Sequence, residues 1–212
     1  MYTVKHLNKI LEEVPIDYYQ KGIKKNLLQR LWHHGKLNIV KKLIDFNPNK
    51  VLDVGCASGW FLNELLSSYP SSKFFGVDAY KQAINYGKKK YKKLVLTHAD
   101  AHSLPFNNNT FDLVICTEVL EHVVHPDKVL KEIKRILRRN GIGIIEMDSG
   151  NWLFTIVWYW WTHIKNGVWK HAHLHIFNTN KLNVIIKQSG LRIIKKHFFN
   201  FGMAVVFKVK KI

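Results

Sequence analysis

The chain has 212 residues, of which 47% are hydrophobic and 23% charged, as expected for one globular domain with a sizeable core. Its 33 Lys and Arg outnumber 15 Asp and Glu, and the resulting net charge of +18 favours anionic partners such as acidic lipid surfaces, nucleic acid or phosphorylated substrates. Only two cysteines are present, Cys56 and Cys116, which excludes a disulfide framework and is typical of a reducing cytosol.

The first 46 residues are predicted to form a helical cap. Pro15 separates an early helix from a second one. Apolar or small residues recur at helical spacing in the second helix and are expected to pack inward: Leu28, Leu31, Trp32, Gly35, Ile39 and Leu43. Asn47-Pro48-Asn49 predicts the turn into the first strand.

Strands and helices alternate through the following hundred residues. Strands are predicted at 50–55, 73–78, 94–97, 112–116 and 141–147, and helices at 59–68, 80–89 and 126–139. Asn140-Gly141 is expected to end the last of these helices. Strands separated by helices predict a parallel sheet covered on both faces. A helix at 179–188 and strands at 191–198 and 202–209 are predicted to follow.

The most specific local pattern is a strand, a glycine turn and a helix over residues 51–66. The strand carries Asp53, and the turn runs from Gly55 to Gly59. Such a turn lets backbone N–H groups approach a ligand without side-chain obstruction. The next strand ends in Asp78, where a carboxylate can accept hydrogen bonds from ribose hydroxyls. The pair predicts a site for a nucleoside cofactor.

The glycine turn differs from the dinucleotide-binding pattern Gly-x-Gly-x-x-Gly, because Ala57 stands where a middle glycine is expected. A pyrophosphate needs several converging N–H groups at a helix start, whereas a sulfonium amino acid does not. Further motifs follow downstream: Ala99-Asp100-Ala101, Leu104-Pro105-Phe106, Phe111-Asp112-Leu113-Val114-Ile115 and Glu118-Val119-Leu120-Glu121-His122.

In this order and at this spacing, the motifs resemble those of class I S-adenosylmethionine (SAM) dependent methyltransferases, over about residues 50–147. The similarity is to the quinone- and menaquinone-biosynthesis-like group, the methyltransferase type 11 pattern. It implies an α/β, Rossmann-like sheet of seven strands, mostly parallel with an antiparallel C-terminal strand and helices on both faces. The expected single domain, 1–212, comprises a helical N-terminal cap (1–46), a SAM-binding core (47–149), an aromatic lid insertion (150–178), and a C-terminal helix and strands (179–212).

The resemblance also assigns residues to the cofactor, S-adenosyl-L-methionine. The turn with Asp53 is expected to hold the methionine part, Asp78 the ribose, and Asp100 with the Ala101 backbone the adenine. The full set of expected cofactor-binding residues is Asp53, Gly55, Cys56, Ala57, Gly59, Trp60, Phe61, Asp78, Ala79, Asp100, Ala101 and Thr117.

The run Glu118-x-x-Glu121-His122 follows the fourth predicted strand, where parallel sheets place ligands. Two carboxylates and an imidazole suit Mg²⁺ or another divalent metal, which would lower the pKa of a substrate hydroxyl. The run is similar to one that completes a metal site in quinone-biosynthesis O-methyltransferases and plant-type small-RNA 2′-O-methyltransferases. Alternatively, Glu118 lies near the cofactor while His122 packs or acts as a general base. The three are the candidate catalytic residues.

Five of the seven tryptophans lie between residues 152 and 169. The aromatic run from 152 to 161 is shorter than the ~20 residues that span a bilayer. Lys165, Lys170 and four histidines (His163, His171, His173 and His175) surround its end. Tryptophans beside cations suit an interfacial membrane segment; the alternatives are the wall of an apolar pocket and nucleobase stacking. The candidate substrate-binding residues are Trp152, Trp158, Trp161, His173 and His175.

These features predict methyl transfer, with O-methylation favoured slightly, to an apolar or amphiphilic small molecule or lipid-like acceptor, near an anionic membrane surface. One alternative is an RNA 2′-O-methyltransferase; nucleic acid is less favoured because no RNA-binding module is recognisable. Another is a non-catalytic membrane-surface or scaffold protein. No signal peptide is recognisable in Met1–Glu13, so a cytoplasmic protein, peripheral at the inner membrane face, is expected. The acceptor atom and the oligomeric state are left open.

Overall fold

The computed structural model describes residues 14–164, 173–175 and 177–211. The strands are β1 (Lys50–Val54), β2 (Lys73–Asp78), β3 (Val95–His98), β4 (Phe111–Thr117), β5 (Leu137–Asp148), β6 (Leu191–Phe199) and β7 (Ala204–Lys211). The helices are α1 (Tyr18–Lys25), α2 (Leu27–Leu43), α3 (Trp60–Leu66), α4 (Lys81–Lys90), α5 (Pro126–Ile136), α6 (Trp152–Tyr159) and α7 (Thr179–Gln188). A π-helical turn, Trp160–Ile164, continues α6.

The seven strands form one sheet in the order β3-β2-β1-β4-β5-β7-β6. Strands β1 to β5 pair in parallel, and β7 is antiparallel to both of its neighbours. This confirms the predicted Rossmann-like, mostly parallel sheet with an antiparallel C-terminal strand. The chain moves outward from β1 to β3 and then crosses to β4 on the other side of β1. The crevice between β1 and β4 is therefore the switch point at which such sheets place ligands.

Helices cover both faces of the sheet, because side chains alternate along each buried strand. Helices α2, α3 and α4 pack on the face that carries Val51 and Ile115, and α5 and α7 pack on the opposite face with Leu52 and Val114. Burying one such aliphatic side chain contributes about 1.5–3 kcal/mol. The cap helix α2 is thus part of the main core, and it holds the N-terminal region against the carboxyl edge of the sheet.

The predicted boundary between α5 and β5 is wrong. The helix ends at Ile136, and Leu137 already has extended backbone angles (φ −63°, ψ 137°) and pairs with Phe111 of β4. Asn140, with φ +64°, lies within β5, where the register between β4 and β5 shifts. Pairing to β4 therefore overrides the local signal of Asn140-Gly141, and these residues do not terminate the helix.

The predicted inward face of α2 is confirmed only in part: Leu43 is buried and Ile39 packs against the core. Leu28 and Leu31 are 56% and 59% exposed. The buried residues of this helix are His33, Lys36, Leu37, Val40 and Leu43, so only Leu43 belongs to both sets. The helix is rotated because Lys36 makes a buried ion pair with Glu118 of the core, and a lysine carries no apolar signal in the sequence.

Gly87→Ala is expected to destabilise the protein by about 1–3 kcal/mol, although alanine is the better helix former. A Cβ atom at Gly87 of α4 would lie 2.4 Å from the backbone oxygen of Ser58 and 2.6 Å from Cδ1 of Leu96. The matched control is Gly22→Ala in α1, where the nearest atoms belong to the end of the flexible Gln29 side chain. Urea unfolding of both variants tests this. Equal stability of Gly87→Ala and wild type would contradict the close packing of α4 on the glycine turn.

Candidate active site

A cavity of about 490 Å³ lies at the carboxyl edge of the parallel strands, and we name it the main cavity. The segments that follow β1 to β5 form its floor, with Gly55, Asp78, Asp100, Glu118 and Asp148. Residues 14–33 of the cap and the lid helix α6 with its π-helical turn supply the walls. The cap and the lid thus enclose the edge of the sheet at which the sequence predicts the cofactor.

Asp78, the last residue of β2, is held in place by two backbone donors. The N–H of Ala57 donates to Oδ2 at 2.7 Å, and the N–H of Tyr80 donates to Oδ1 at 2.8 Å. Burial raises the pKa of Asp78, and these two hydrogen bonds act in the opposite direction. The fixed carboxylate still has lone pairs for the hydroxyls of a ribose.

The glycine turn is close enough to its neighbours to exclude a side chain at Gly55. This residue has φ +80°, and a Cβ atom there would lie 2.2 Å from Cγ2 of Val119. The N–H groups of Gly55 and Cys56 both donate to the carbonyl of Val77, at 2.8 and 3.0 Å. These bonds tie the turn to β2 and place its backbone beside Asp78.

Asp100 and Ala101 line the main cavity after β3. Oδ1 of Asp100 accepts a hydrogen bond from the backbone N–H of His102 at 2.9 Å. It also lies 2.6 Å from Nδ1 of the His102 ring. The Asp100 side chain is half exposed, so it can turn a free carboxylate oxygen toward a ligand. Asp78, Ala79, Asp100 and Ala101 are therefore placed along one wall, in the order expected for ribose and adenine contacts.

A second, small cavity of about 30 Å³ lies behind the glycine turn. Seven of the predicted cofactor residues line it: Asp53, Gly55, Cys56, Ala57, Trp60, Phe61 and Thr117. It shares Tyr19, His33, Gly55 and Ala57 with the main cavity, so the two spaces adjoin. Gly59 instead begins α3 as its N-cap with φ +85°, and packs beside Leu94 and Leu96. Gly59 therefore orients α3 behind the glycine turn.

An ion pair joins the cap to the core at the boundary of these cavities. The ammonium of Lys36 donates to Oε2 of Glu118 at 2.8 Å, and the indole N–H of Trp32 donates to Oε1 at 2.6 Å. Burial alone would raise the pKa of Glu118, but Lys36, His33 and Trp32 together outweigh it and lower the pKa to about 2. Burial has the largest single effect on the pKa of Lys36 and lowers it, but Glu118, Glu146 and Asp53 together raise the pKa above its usual value, so both groups are charged.

Two further acids are buried beside this pair. Asp53 is 2% exposed, and burial raises its pKa to about 8 although Lys36 opposes the rise. Its Oδ1 has no hydrogen-bond partner among the described residues, and neither has either oxygen of Glu146. Burial raises the pKa of Glu146 well above the usual range, and the charge of Glu118 adds to the rise. Unpartnered buried carboxyl oxygens of this kind suit a cationic ligand.

Among the described residues, Glu121, His122 and His173 form a group whose potential ligand atoms lie within 4.8 Å of one another. The lid residue His173 stacks on Trp158, with ring centroids 4.3 Å apart. Burial raises the pKa of Glu121 well above its usual range, and it lowers the pKa of His173 to about 3. One carboxylate and two imidazoles could hold a divalent ion or accept a proton from a substrate.

The predicted metal trio of Glu118, Glu121 and His122 requires a correction. Glu118 has φ +54°, and its two oxygens are engaged by Lys36 and Trp32. His173 stands in the group instead, because the N–H groups of Leu174 and His175 donate to the carbonyl of Glu121. The sequence does not predict that His173 takes the position of Glu118 beside His122, because His173 and His122 are about fifty positions apart.

The lid supplies several aromatic side chains to the main cavity, and the predicted Trp158 and Trp161 are among them. Trp152, also predicted to bind substrate, is 74% exposed and does not line the cavity. His175 does not line it either; its Nε2 lies 2.9 Å from the carbonyl of Val123. The predicted cations and histidine at Lys165, Lys170 and His171 lie outside the described residues.

The cap contributes lining residues that the sequence reasoning missed: Tyr18, Tyr19, Trp32 and His33. Burial and the charge of Lys36 lower the pKa of His33 to about 4, so its imidazole is neutral at physiological pH. A signal is present, since aromatic residues cluster in this part of the chain. In the sequence, only Trp32 belongs to the stripe predicted to pack inward, and no role is predicted for Tyr18, Tyr19 or His33.

Comparison with known proteins decides the kind of domain. Residues 52–145 match the family model described as a methyltransferase domain, and this segment contains the glycine turn, Asp78, Asp100 and Glu118. These residues therefore form a methyltransferase domain. The matched segment ends before the lid, so the family itself does not define the acceptor side of the main cavity.

Relatives and solved structures extend the likeness beyond this segment. The chain is 23% identical to a demethylmenaquinone methyltransferase of Thermotoga maritima, over 97% of this chain and 93% of that protein. It is 30% identical to a malonyl-[acyl-carrier protein] O-methyltransferase of Legionella pneumophila, over 58% of this chain and 40% of that protein. A solved SAM-dependent methyltransferase of Thermotoga maritima superposes with a TM-score of 0.74 at 21% identity, covering 96% of this chain and 99% of that one.

The residues present fit SAM. Its ribose would meet the fixed carboxylate of Asp78, and its adenine would lie beside Asp100 and Ala101. The unpartnered oxygen of Asp53 and the charged Glu118 suit the ammonium and sulfonium groups of the methionine part. Gly55 lines the main cavity and has no side chain, so its backbone can approach the ligand closely.

SAM binding at neutral pH is expected to release a proton from Asp53. With a pKa of about 8 in the free protein, this carboxyl is mostly protonated at pH 7, and a bound ammonium favours the charged form. Affinity should therefore rise from about pH 6 to about pH 7.5. Calorimetry in two buffers of different ionisation enthalpy measures the released proton, and Asp53→Asn serves as the control without it. Identical heats in both buffers would contradict the placement of the ammonium beside Asp53.

Proposed function

We propose that the protein transfers the methyl group of SAM to an apolar or amphiphilic, lipid-like small molecule. The main support is that the predicted cofactor residues and the aromatic lid line one cavity. On the cofactor side its lining is polar, with Asp78, Asp100 and Glu118, and on the acceptor side it is aromatic, with Trp158 and Trp161. An acceptor with a flat or extended apolar body fits the second part. The Thermotoga relative, whose name gives a quinone acceptor, agrees with this class.

When bound, SAM supplies an electrophilic methyl group on a sulfonium. The side chains of this protein have the tasks of alignment and water exclusion, which supply most of the rate in such displacements. Asp78 and the glycine turn would orient the cofactor, while Phe154, Trp158 and Trp161 would cover the acceptor and exclude water. The cap closes the opposite side through Tyr19 and Trp32.

We favour a hydroxyl as the acceptor group because Glu121, His122 and His173 meet at the acceptor end of the main cavity. An imidazole at that position can take the proton that an acceptor hydroxyl loses as it is methylated. Trp158 holds the ring of His173 by stacking. The same three side chains form the group that could bind a divalent ion, and such an ion would lower the pKa of the hydroxyl.

The proposal predicts where a radioactive methyl group will be found. A cell extract solubilised in mild detergent is incubated with the protein and [methyl-³H]SAM, then separated into lipid, RNA, protein and small-molecule fractions, with and without chelator. Label is expected in the lipid or small-molecule fraction, and loss with chelator would indicate a metal. Trp158→Ala should lower the transfer at least about tenfold, because it removes both cavity wall and support of His173. The control is Thr155→Ala, on the exposed face of the same helix.

Label in the RNA fraction would contradict this proposal and indicate RNA methylation instead. Absence of both labelling and SAM binding would favour a non-catalytic protein of the same fold.

We infer that the mouth of the main cavity meets an anionic membrane surface. Leu28 and Val157 line the cavity and are more than a third exposed, so they lie at its rim. Neighbouring exposed apolar residues extend this rim along α2 and α6: Leu27, Leu31, Trp152, Ile156 and Tyr159. No helix in the described ranges has the length and apolarity to cross a bilayer. Contact at the surface, aided by the net charge of +18, remains the mode that fits.

Binding to vesicles tests this inference. Trp152→Ser combined with Ile156→Ser should reduce co-sedimentation with phosphatidylglycerol vesicles at least about tenfold, because both exposed apolar contacts are lost. Val184→Ser, at another exposed apolar site, on α7, is the control and should bind as wild type does. Equal binding of the double variant and wild type would place the membrane contact elsewhere or rule it out.

A further inference from the structure

The turn between β6 and β7, residues 200–203, exposes an aromatic side chain that neither the core nor the two cavities use. Phe201 is 90% exposed, the largest exposed fraction of any large apolar side chain in the described ranges. The turn leads into β7, whose first residue, Ala204, pairs with Asp148 at the end of β5. The β6–β7 turn therefore lies at the carboxyl edge of the sheet, the edge that carries the main cavity.

The backbone of the β6–β7 turn is unfavourable for a phenylalanine. Phe201 has φ +58°, in the left-handed region that costs most residues other than glycine and asparagine free energy. Its neighbours Asn200 (φ +48°) and Gly202 (φ +79°) are of the two types that tolerate this region. An asparagine at position 201 would suit the turn better, so the exposed ring needs an explanation other than folding.

Hydrogen bonds hold the β6–β7 turn between the lid and the cap. The carbonyl of Gly202 accepts from Oγ of Ser149 at 2.7 Å and from Nδ2 of Asn151 at 3.0 Å. Asn151 is also the N-cap of the lid helix α6. On the other side, Nδ2 of Asn200 donates to the carbonyl of Trp32 in α2 at 3.4 Å. The turn thus has a fixed position beside the rim that α2 and α6 form.

Exposed apolar residues of the rim adjoin these hydrogen bonds. Leu31 precedes Trp32 in the chain, Trp152 follows Asn151, and both Leu31 and Trp152 are more than half exposed. Phe201 adds a third exposed apolar group from a third element of the fold. Three groups on three separate elements define a plane, and a flat apolar surface can contact all of them at once.

The charge of these segments favours an anionic surface. Residues 27–34, 149–164 and 191–203 contain no Asp or Glu. Exposed cations accompany the apolar residues, with Arg30 on α2 and Lys195 and Lys196 on β6. Apolar side chains beside cations, in segments free of acids, match the apolar layer and the anionic head groups of a membrane.

We propose that Phe201 is a membrane anchor, which inserts into an anionic bilayer beside α2 and α6. The proposal rests on the membrane contact inferred above and identifies a third element that makes it. With three points of contact, the orientation of the protein on the bilayer is fixed. The mouth of the main cavity, at Leu28 and Val157, then faces the lipid, and an amphiphilic acceptor can enter without crossing water.

Co-sedimentation with phosphatidylglycerol vesicles tests the proposal. Phe201→Asn is expected to bind about tenfold more weakly than wild type, because an aromatic contact with the apolar layer is lost. Its melting temperature should equal or exceed that of wild type, because asparagine adopts the left-handed region with less strain. The matched control is Val95→Thr, at an exposed apolar residue of β3 at the opposite end of the sheet, and it should bind as wild type does.

Unchanged vesicle binding by Phe201→Asn would overturn the proposal. A lower melting temperature of this variant would also overturn it, because the ring would then support the fold. Failure of wild type to bind the vesicles would instead refute the membrane contact itself, on which this proposal rests.

A fluorescent label at the β6–β7 turn tests insertion directly. Cys56 and Cys116 are buried, so the thiol introduced by Phe201→Cys can be labelled selectively with an environment-sensitive fluorophore. On addition of phosphatidylglycerol vesicles, the emission is expected to shift to shorter wavelength, whereas the same label on Val95→Cys should not shift. An unshifted emission at position 201 in protein that co-sediments would overturn the proposal and indicate that the turn contacts water or another protein.

Discussion

The ion pair between Lys36 and Glu118 joins the helical cap to the carboxyl edge of the sheet. Glu118 directly follows β4, at the switch point of the sheet, and its backbone has φ +54°. Lys36 and Trp32 reach it from α2 and determine how that helix is rotated. As a result, the cap presents Tyr19 and His33 to both cavities. Loss of this interaction would leave a buried charge without its partner, which typically costs about 3–5 kcal/mol.

The parallel strands concentrate acids at one edge of the sheet. Asp53, Asp78, Glu118, Glu146 and Asp148 all lie at or next to strand ends, where burial opposes their ionisation. Such an arrangement is unfavourable for the free protein, because burial raises the pKa of most of these groups while the charge of Lys36 is shared among them. A ligand with positive groups would stabilise the ionised forms of these acids. The electrostatics of these buried acids and the positive groups of SAM are therefore consistent with each other.

Local sequence patterns predicted much of this structure. The glycine turn, Asp78 and the strand–helix alternation depend on neighbouring residues, and the seven-stranded sheet is implied by the family that these motifs resemble. The face of α2 could not be predicted, because the burial of Lys36 depends on a partner 82 positions away. His173 replaces Glu118 beside His122 for the same reason, since the segment 173–175 is positioned by hydrogen bonds to Glu121. Within the lid, composition identified an aromatic wall but did not distinguish the lining Trp158 from the exposed Trp152.

The central claim is that the glycine turn, Asp78 and the cap together enclose one SAM molecule. A crystal structure with S-adenosylhomocysteine, the product form of the cofactor, tests it most directly. The account predicts ribose hydroxyls on the carboxylate of Asp78, and the ammonium of the ligand beside Asp53. A ligand that lies outside the glycine turn, or a turn that admits a nicotinamide dinucleotide in place of S-adenosylhomocysteine, would contradict the account.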